Sequence, residues 1–236
     1  MKKLDILEMN STEIRIYPQD TIPYDLLLLD ENIKKFQSVF NISRQDIPFP
    51  IPIKEGMPQN VLLFAIGKIN RLEKPVVILS IQFEDRKVII QTKGDSSNTQ
   101  YVFEKLFEFI KDIDSSKKYD PNVELIRTYE TKSVVKIDIL FDKFISPKVN
   151  RFLRAIKRKN KDRISEISPI KFQFLVTFKQ DQSLFDKTNI HLSSKPLVLE
   201  PRQGHHYSEK IYFFSTPTDS KRHVEILDEL VAIFAN

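Results

Sequence analysis

Residues 87–110, KVIIQTKGDSSNTQYVFEKLFEFI, run from an apolar segment through a polar turn into an amphipathic segment. The β-branched start is typical of a strand, and the apolar residues of the second part recur at helical spacing. Residues 210–234, KIYFFSTPTDSKRHVEILDELVAIF, follow the same order of lysine, apolar strand, Ser/Asp-rich turn and helix. The two stretches share a pattern rather than an identity, and they indicate two similarly organised halves.

The rest of the chain extends this pattern in each half. Two short strands (4–9 and 13–19), a helix (24–40) and three strands lead up to the helix of the first half. Beyond it, strands at 122–130 and 133–141, a helix at 147–160 and three further strands lead up to the second. Short connections favour antiparallel pairing with helices on one face. We predict an α+β fold of two similar halves, each ββαβββα, with mainly antiparallel sheets.

A stretch rich in Ser, Lys, Asp and Pro, residues 114–122, interrupts the pattern between the halves. Such a composition is typical of a boundary. It divides the chain into a first half (1–114), a linker (115–121) and a second half (122–236). The two sheets either lie side by side or merge about a pseudo-twofold axis. Internal duplication is the preferred explanation, and chance repetition of a common element order is the alternative.

Composition excludes several function classes. The 236 residues include only four glycines and no cysteine. Glycine clusters that let a backbone approach phosphates are therefore absent, and so are disulfides, thiolate metal sites and cysteine nucleophiles. No apolar run is long enough for a signal segment or a membrane span. The expected location is the cytoplasm, and the sequence implies no cofactor.

Charge is concentrated in the predicted helix 147–160. Its apolar residues lie within about 100° of arc, while the remaining surface is entirely basic. Cations near a helix C-terminus are favourable without any ligand, but cations in the first turns are not. The helix therefore predicts contact with an anionic partner, with nucleic acid preferred over an acidic protein surface or lipid headgroups. The residues proposed to bind are Lys148, Arg151, Arg154, Lys157, Arg158, Lys159 and Lys161.

Alternating prolines mark residues 47–58, IPFPIPIKEGMP. Proline cannot donate to a β-ladder, so this segment is expected to be extended, with Phe49, Ile51 and Ile53 on one side. It either covers a sheet edge of its own fold or inserts into a partner, including a second copy of the chain. A homo-oligomer is compatible with the second alternative.

The densest group of reactive side chains lies in PRQGHHYSEK, residues 201–210. Histidine titrates near neutrality, so His205 or His206 can act as acid or base, with Arg202 or Lys210 stabilising a phosphorane. The alternative, which we prefer, is an exposed polar turn. The other two histidines, His191 and His223, carry no pattern of their own.

These features favour a non-catalytic binding or assembly protein. One alternative is a metal-independent RNA-processing nuclease that uses the His205–His206 turn. Another is a protein-binding subunit of a larger complex, whose acidic neighbour meets the basic helix.

Overall fold

The computed structural model describes residues 4–18, 21–42, 62–72, 74–84, 86–114, 123–159, 161, 163, 167, 169–179 and 193–234. Within these ranges the chain is an α+β structure. Its elements are β1 (Leu4–Ile16), α1 (Tyr24–Leu27), α2 (Asp30–Val39), β2 (Leu62–Arg71), β3 (Lys74–Glu84), β4 (Lys87–Lys93), α3 (Ser96–Ile113), β5 (Ile126–Ile137), α4 (Pro147–Lys159), β6 (Phe172–Val176), β7 (Lys195–Pro201), β8 (Ile211–Thr216) and α5 (Ser220–Phe234). Single 3₁₀ turns lie at Phe141–Phe144 and Tyr207–Glu209.

All eight strands belong to one antiparallel sheet with the order β2-β3-β4-β1-β5-β8-β7-β6. The two central strands pair along almost their whole length, from Leu4 opposite Ile137 to Ile16 opposite Ile126. Outward from this central pair, β4, β3 and β2 follow on one side, and β8, β7 and β6 follow on the other. The sheet is therefore continuous between the two halves of the sequence.

The element order predicted for each half was wrong in two respects. The helix predicted over 24–40 is two helices, α1 and α2, which are separated at residues 28–29, and each predicted pair of short strands is a single strand. Residues 4–16 form one strand and residues 126–137 form another, where the sequence suggested two short strands in each place. Both strands contain polar residues at the point of the predicted division. The backbones of these residues pair with the neighbouring strands, and their hydroxyls are satisfied there: Ser11 Oγ donates to the Gly94 carbonyl (2.9 Å), and Thr131 Oγ1 donates to the Thr218 carbonyl (2.8 Å). Each half thus places one long strand before its first helix.

Two buried apolar clusters lie on the helix-bearing face, one built mainly from α2, α3 and strands β2–β4, and the other mainly from α5 and strands β5, β7 and β8. The first cluster is rich in phenylalanine, and the Phe36 ring of α2 lies 4.2 Å from that of Phe64 and 5.2 Å from that of Phe109. In the second, Leu199 and Phe214 of the sheet pack with Leu227 of α5. Alternate residues of the strands supply both clusters, as the period of two in a pleated sheet requires.

The N-termini of α3 and α5 meet above the central strands. The Ser96 amide donates to Ser220 Oγ (3.0 Å), the Ser220 amide donates to Ser96 Oγ (3.4 Å), and the two hydroxyls lie 2.9 Å apart. Asp95 and Asp219 each accept a first-turn amide and so act as N-caps. Each helix start therefore satisfies amide donors that the helix itself leaves unpaired.

Candidate nucleic-acid interface

The basic helix begins at a turn that is fixed to the second core. Phe144 of that turn is buried, and its ring lies 5.1 Å from the Phe234 ring of α5. Ser146 Oγ accepts the Val149 amide (3.4 Å), and Asn150 Nδ2 donates to the Asp142 carbonyl (2.9 Å). Pro147 occupies the first helical position, where no amide hydrogen is needed. These contacts hold the N-terminal end of α4 against the protein.

The outer surface of α4 carries positive charge only. No acidic residue occurs in Pro147–Lys159, and all of its lysines and arginines are exposed. None of the ion pairs formed between described residues involves them. The predicted helix is confirmed as an element, and its basic side chains face solvent: Lys148, Arg151, Arg154, Lys157, Arg158 and Lys159, with Lys161 and Arg163 exposed beyond it.

The apolar side of α4 is only partly covered. The helix has no buried residue. Leu153 and Ile156 are half-buried, whereas Val149 is 45% exposed and Phe152 is 62% exposed. The sequence predicted this apolar stripe. Its degree of burial depends on tertiary packing, which cannot be derived from helical periodicity. The helix therefore offers both cations and apolar surface to the outside.

The two adjacent histidines lie on an exposed 3₁₀ turn that their own side chains stabilise. His206 Nδ1 accepts the Ser208 amide (3.3 Å), and the Glu209 carboxylate accepts the His206 amide (2.7 Å). His205 Nδ1 lies 3.1 Å from the Glu209 carboxylate, and hydrogen bonds from His205 and from the His206 amide lower the pKa of that carboxyl. The arrangement is a capping box, which satisfies the free amides at the start of the turn.

Lys210 and Arg202, the two cations predicted to assist these histidines, make different contacts. Lys210 Nζ donates to the exposed Asp138 carboxylate (2.5 Å), and this hydrogen bond lowers the pKa of Asp138. Lys210 has the left-handed backbone conformation that ends the turn (φ 57°). Arg202 is exposed, and its amide donates to the Ile211 carbonyl (2.9 Å). Each residue thus has a local structural role in the hairpin.

His223, which matched no sequence pattern, is the most deeply buried of the histidines that the structure describes. His223 in α5 is fully buried, with Nε2 2.8 Å from Ser133 Oγ and Nδ1 2.8 Å from Thr216 Oγ1. Burial lowers the pKa of His223 to about 4, so the ring is neutral at physiological pH. The sequence signal that was missed is its position three residues after Ser220, on the side of α5 that faces the sheet.

The matched position in α3 holds a different buried polar contact. Thr99, three residues after Ser96, donates through Oγ1 to the carboxylate of Glu13 (2.9 Å) in β1. Glu13 is fully buried and pairs with Arg15 (2.7 Å), whose guanidinium lies 4.1 Å from the centre of the Phe103 ring. This group was not among the predicted functional residues. An alternation of charge within an apolar strand, Glu-Ile-Arg-Ile, is the signal that it offers.

A cleft of about 670 Å³ opens between the β2–β3 turn and the start of α3. Arg71, one of two cations in its lining, already donates to Ser97 Oγ (2.9 Å) and Asn98 Oδ1 (3.2 Å) and lies over the Tyr101 ring. The guanidinium is thus committed to holding the hairpin against α3. This cleft receives no functional assignment.

Two segments that were predicted from the sequence are not described by the structure. The proline-rich segment with Phe49, Ile51 and Ile53, and the proposed linker 115–121, lie outside the described residues. Among the residues that the structure does describe, no three His, Asp or Glu side chains are grouped as metal ligands. No described helix has both the length and the apolar character needed to cross a bilayer.

Comparison with known proteins adds no family. No protein-family model matches the chain, and no curated protein matches it significantly. Functional assignment therefore depends on the residues and geometry described above.

Proposed function

We propose that the protein is a non-catalytic binding protein that contacts an anionic partner, preferably nucleic acid, through the basic face of α4. The observation that carries this proposal is the exposed, one-signed charge of that helix. Solvent-exposed helices commonly gain a few tenths of a kcal/mol from each Glu–Lys pair at i,i+4, and α4 has no acidic residue with which to form one. Lys148 and Arg151 lie in its first turns, where the helix dipole disfavours cations.

Nucleic acid is preferred because a row of exposed cations matches a row of phosphates. Arginine presents several donors in a planar fork that suits phosphate oxygens, and α4 carries Arg151, Arg154 and Arg158. Contacts of this kind depend on neutralising charge and tolerate side-chain flexibility. A cytoplasmic location, in keeping with the cysteine-free sequence, is part of the proposal.

An acidic protein surface is the second candidate for the partner. The specific observation in its favour is the apolar exposure of Val149 beside the basic face. A protein interface has an apolar centre and a charged rim, which α4 resembles. Nuclease activity at the His205–His206 turn is a weaker alternative, because the His206 side chain belongs to the capping box of that turn and the His205 ring contacts the Glu209 carboxylate of the same box.

We also propose that the two halves arose by internal duplication. The strand order, read outward from β1 and β5, supports it, as do the facing starts of α3 and α5. Matched backbone bonds add further support. The Tyr17 amide donates to the Arg86 carbonyl (2.8 Å), and the Ile137 amide donates to the Lys210 carbonyl (3.1 Å) at the corresponding strand ends.

The test is binding of labelled single- and double-stranded DNA and RNA across a salt series. The Arg151→Glu/Arg154→Glu/Arg158→Glu variant is expected to bind at least tenfold more weakly, with a salt slope smaller by roughly 3, because three phosphate contacts are lost. The matched control is Lys34→Glu/Lys35→Glu/Lys111→Glu, which changes net charge equally at exposed positions of α2 and α3.

Two outcomes contradict the proposal. One is the absence of nucleic-acid binding by the unmodified protein even at low salt. The other is an equal loss in both triple variants, which would assign the effect to net charge rather than to α4. Urea unfolding of each variant checks that lost binding does not reflect lost folding. Cleavage of the labelled strand would move the assignment to the histidine turn.

A further inference from the structure

Phe152 is set apart from the other phenylalanines of the described helices. Those in α2, α3 and α5 are buried or half-buried, whereas Phe152 is 62% exposed. A single exposed apolar side chain is ordinary on a protein surface. Its surroundings make this one different, because the ring lies at the border between the apolar stripe and the basic face.

Cations lie beside the exposed ring. Lys148 precedes Phe152 by four residues and Lys159 follows it by seven, so both lie on nearly the same side of the helix. Arg151 is its neighbour in the chain. All three cations are exposed, and the described part of the chain provides no acidic partner for any of them. The ring is therefore an aromatic surface bordered by positive charge.

We propose that Phe152 stacks on an unpaired base while the neighbouring cations neutralise the phosphates of the same strand, so that the preferred ligand is single-stranded nucleic acid. This inference rests on the proposed function of α4 and names its substrate class. Bases in a duplex are stacked on each other and offer only their edges to a protein, whereas a single strand offers the flat faces of its bases. Stacking of this type is tolerant of sequence, because every base has such a face.

The chemistry of the ring separates it from the charges in an experiment. Aromatic stacking involves no release of counterions, whereas phosphate contacts do. Phe152→Leu keeps an apolar side chain with good helix propensity but removes the ring, and Phe152→Tyr keeps the ring. Ile233→Ala in α5 is the matched control, because Ile233 has the same exposed fraction of 62%.

The experiment measures affinity for three fluorescent probes of equal length: a single-stranded DNA, the same strand lacking its bases, and a duplex. The unmodified protein is expected to prefer the single strand. Phe152→Leu is expected to weaken single-strand binding roughly tenfold while leaving the salt slope and the binding of the baseless strand unchanged. Phe152→Tyr is expected to restore the affinity, and Ile233→Ala to have no effect.

Three results overturn the inference. If Phe152→Leu binds the single strand normally while the triple arginine variant does not, stacking is wrong and the proposed function stands. If neither these probes nor a single-stranded RNA of the same length binds the unmodified protein at low salt, both are wrong. A fourth probe, vesicles of anionic phospholipid, covers the remaining use of an exposed ring beside cations. Loss of vesicle binding in Phe152→Leu with unchanged DNA binding would assign the ring to a membrane surface.

Discussion

In the first half of the protein α2 is packed into the core, whereas in the second half α4 has no buried residue. Phe36 of α2 is 1% exposed and packs against phenylalanines of the sheet and of α3. Phe152 of α4 is 62% exposed, and no residue of α4 is buried. The two helices also differ in charge. The charged residues of α2 are both acidic and basic, whereas those of α4 are all basic.

This difference indicates that the two helices have different roles. A helix whose apolar side is buried stabilises the fold and has little freedom to serve a partner. A helix with no buried residue presents most of its side chains to the outside. The first half therefore has the more deeply buried helix, and the second half has the surface for which we propose binding.

The buried polar contacts beneath α3 and α5 differ as well. The first half has an ion pair, Glu13–Arg15, bonded to Thr99, and the second has a neutral histidine, His223, bonded to Ser133 and Thr216. The contact beneath α3 is thus charged, and the contact beneath α5 is neutral.

The largest effect is expected from the buried ion pair. Glu13→Ala leaves the Arg15 guanidinium without its closest partner in a buried position, which typically costs about 3–5 kcal/mol of unfolding free energy. Ser133→Ala removes one neutral hydrogen bond of His223 and is expected to cost only about 1–2 kcal/mol. Urea unfolding of both variants measures the difference. Equal losses would contradict a distinction between charged and neutral contacts.

The next effect concerns the two helices. Phe36→Ala is expected to lower the unfolding free energy by about 3–4 kcal/mol, because it empties space in a packed phenylalanine cluster. Phe152→Ala is expected to cost less than about 1 kcal/mol, since the ring is mostly in solvent already. Chemical denaturation again decides. A large loss in Phe152→Ala would show that α4 is a structural helix rather than a presented one.

The third effect is a pH dependence of the unfolding free energy that comes from His223 in the second half. The folded pKa of His223, about 4, lies below its ordinary value of 6.5, so the unfolded chain takes up this proton first as the pH falls. The contribution of neutral His223 to the unfolding free energy is fully present above about pH 6.5. It decreases towards pH 4 by on the order of 3 kcal/mol.

The measurement compares unfolding free energies of the unmodified protein and of His223→Asn between pH 7 and pH 4. Both proteins lose stability as carboxylates protonate, so the informative quantity is the difference between them. That difference is expected to shrink as the pH falls, because asparagine does not titrate. A difference that is independent of pH would mean that His223 has an ordinary pKa in the folded state.

Much of the fold was accessible from local pattern. Alternating β-branched residues identified the strands, and helical periodicity identified the long helices. The polar residues Asn10, Ser11 and Thr12 caused the clearest error, because they look like a turn in isolation. The hydroxyl of Ser11 belongs in the sheet only because the Gly94 carbonyl of a distant segment is there to receive it.

The sequence by itself determined the α+β class, the positions of most elements and the one-signed charge of α4, since each follows from residues close together in the chain. Tertiary structure decided three further matters: the joining of β1 to β5, the burial of His223 and Glu13, and the exposure of Phe152. Each of these depends on contacts between segments far apart in sequence. Periodicity states which side of an element is apolar, and only packing states whether another element covers it.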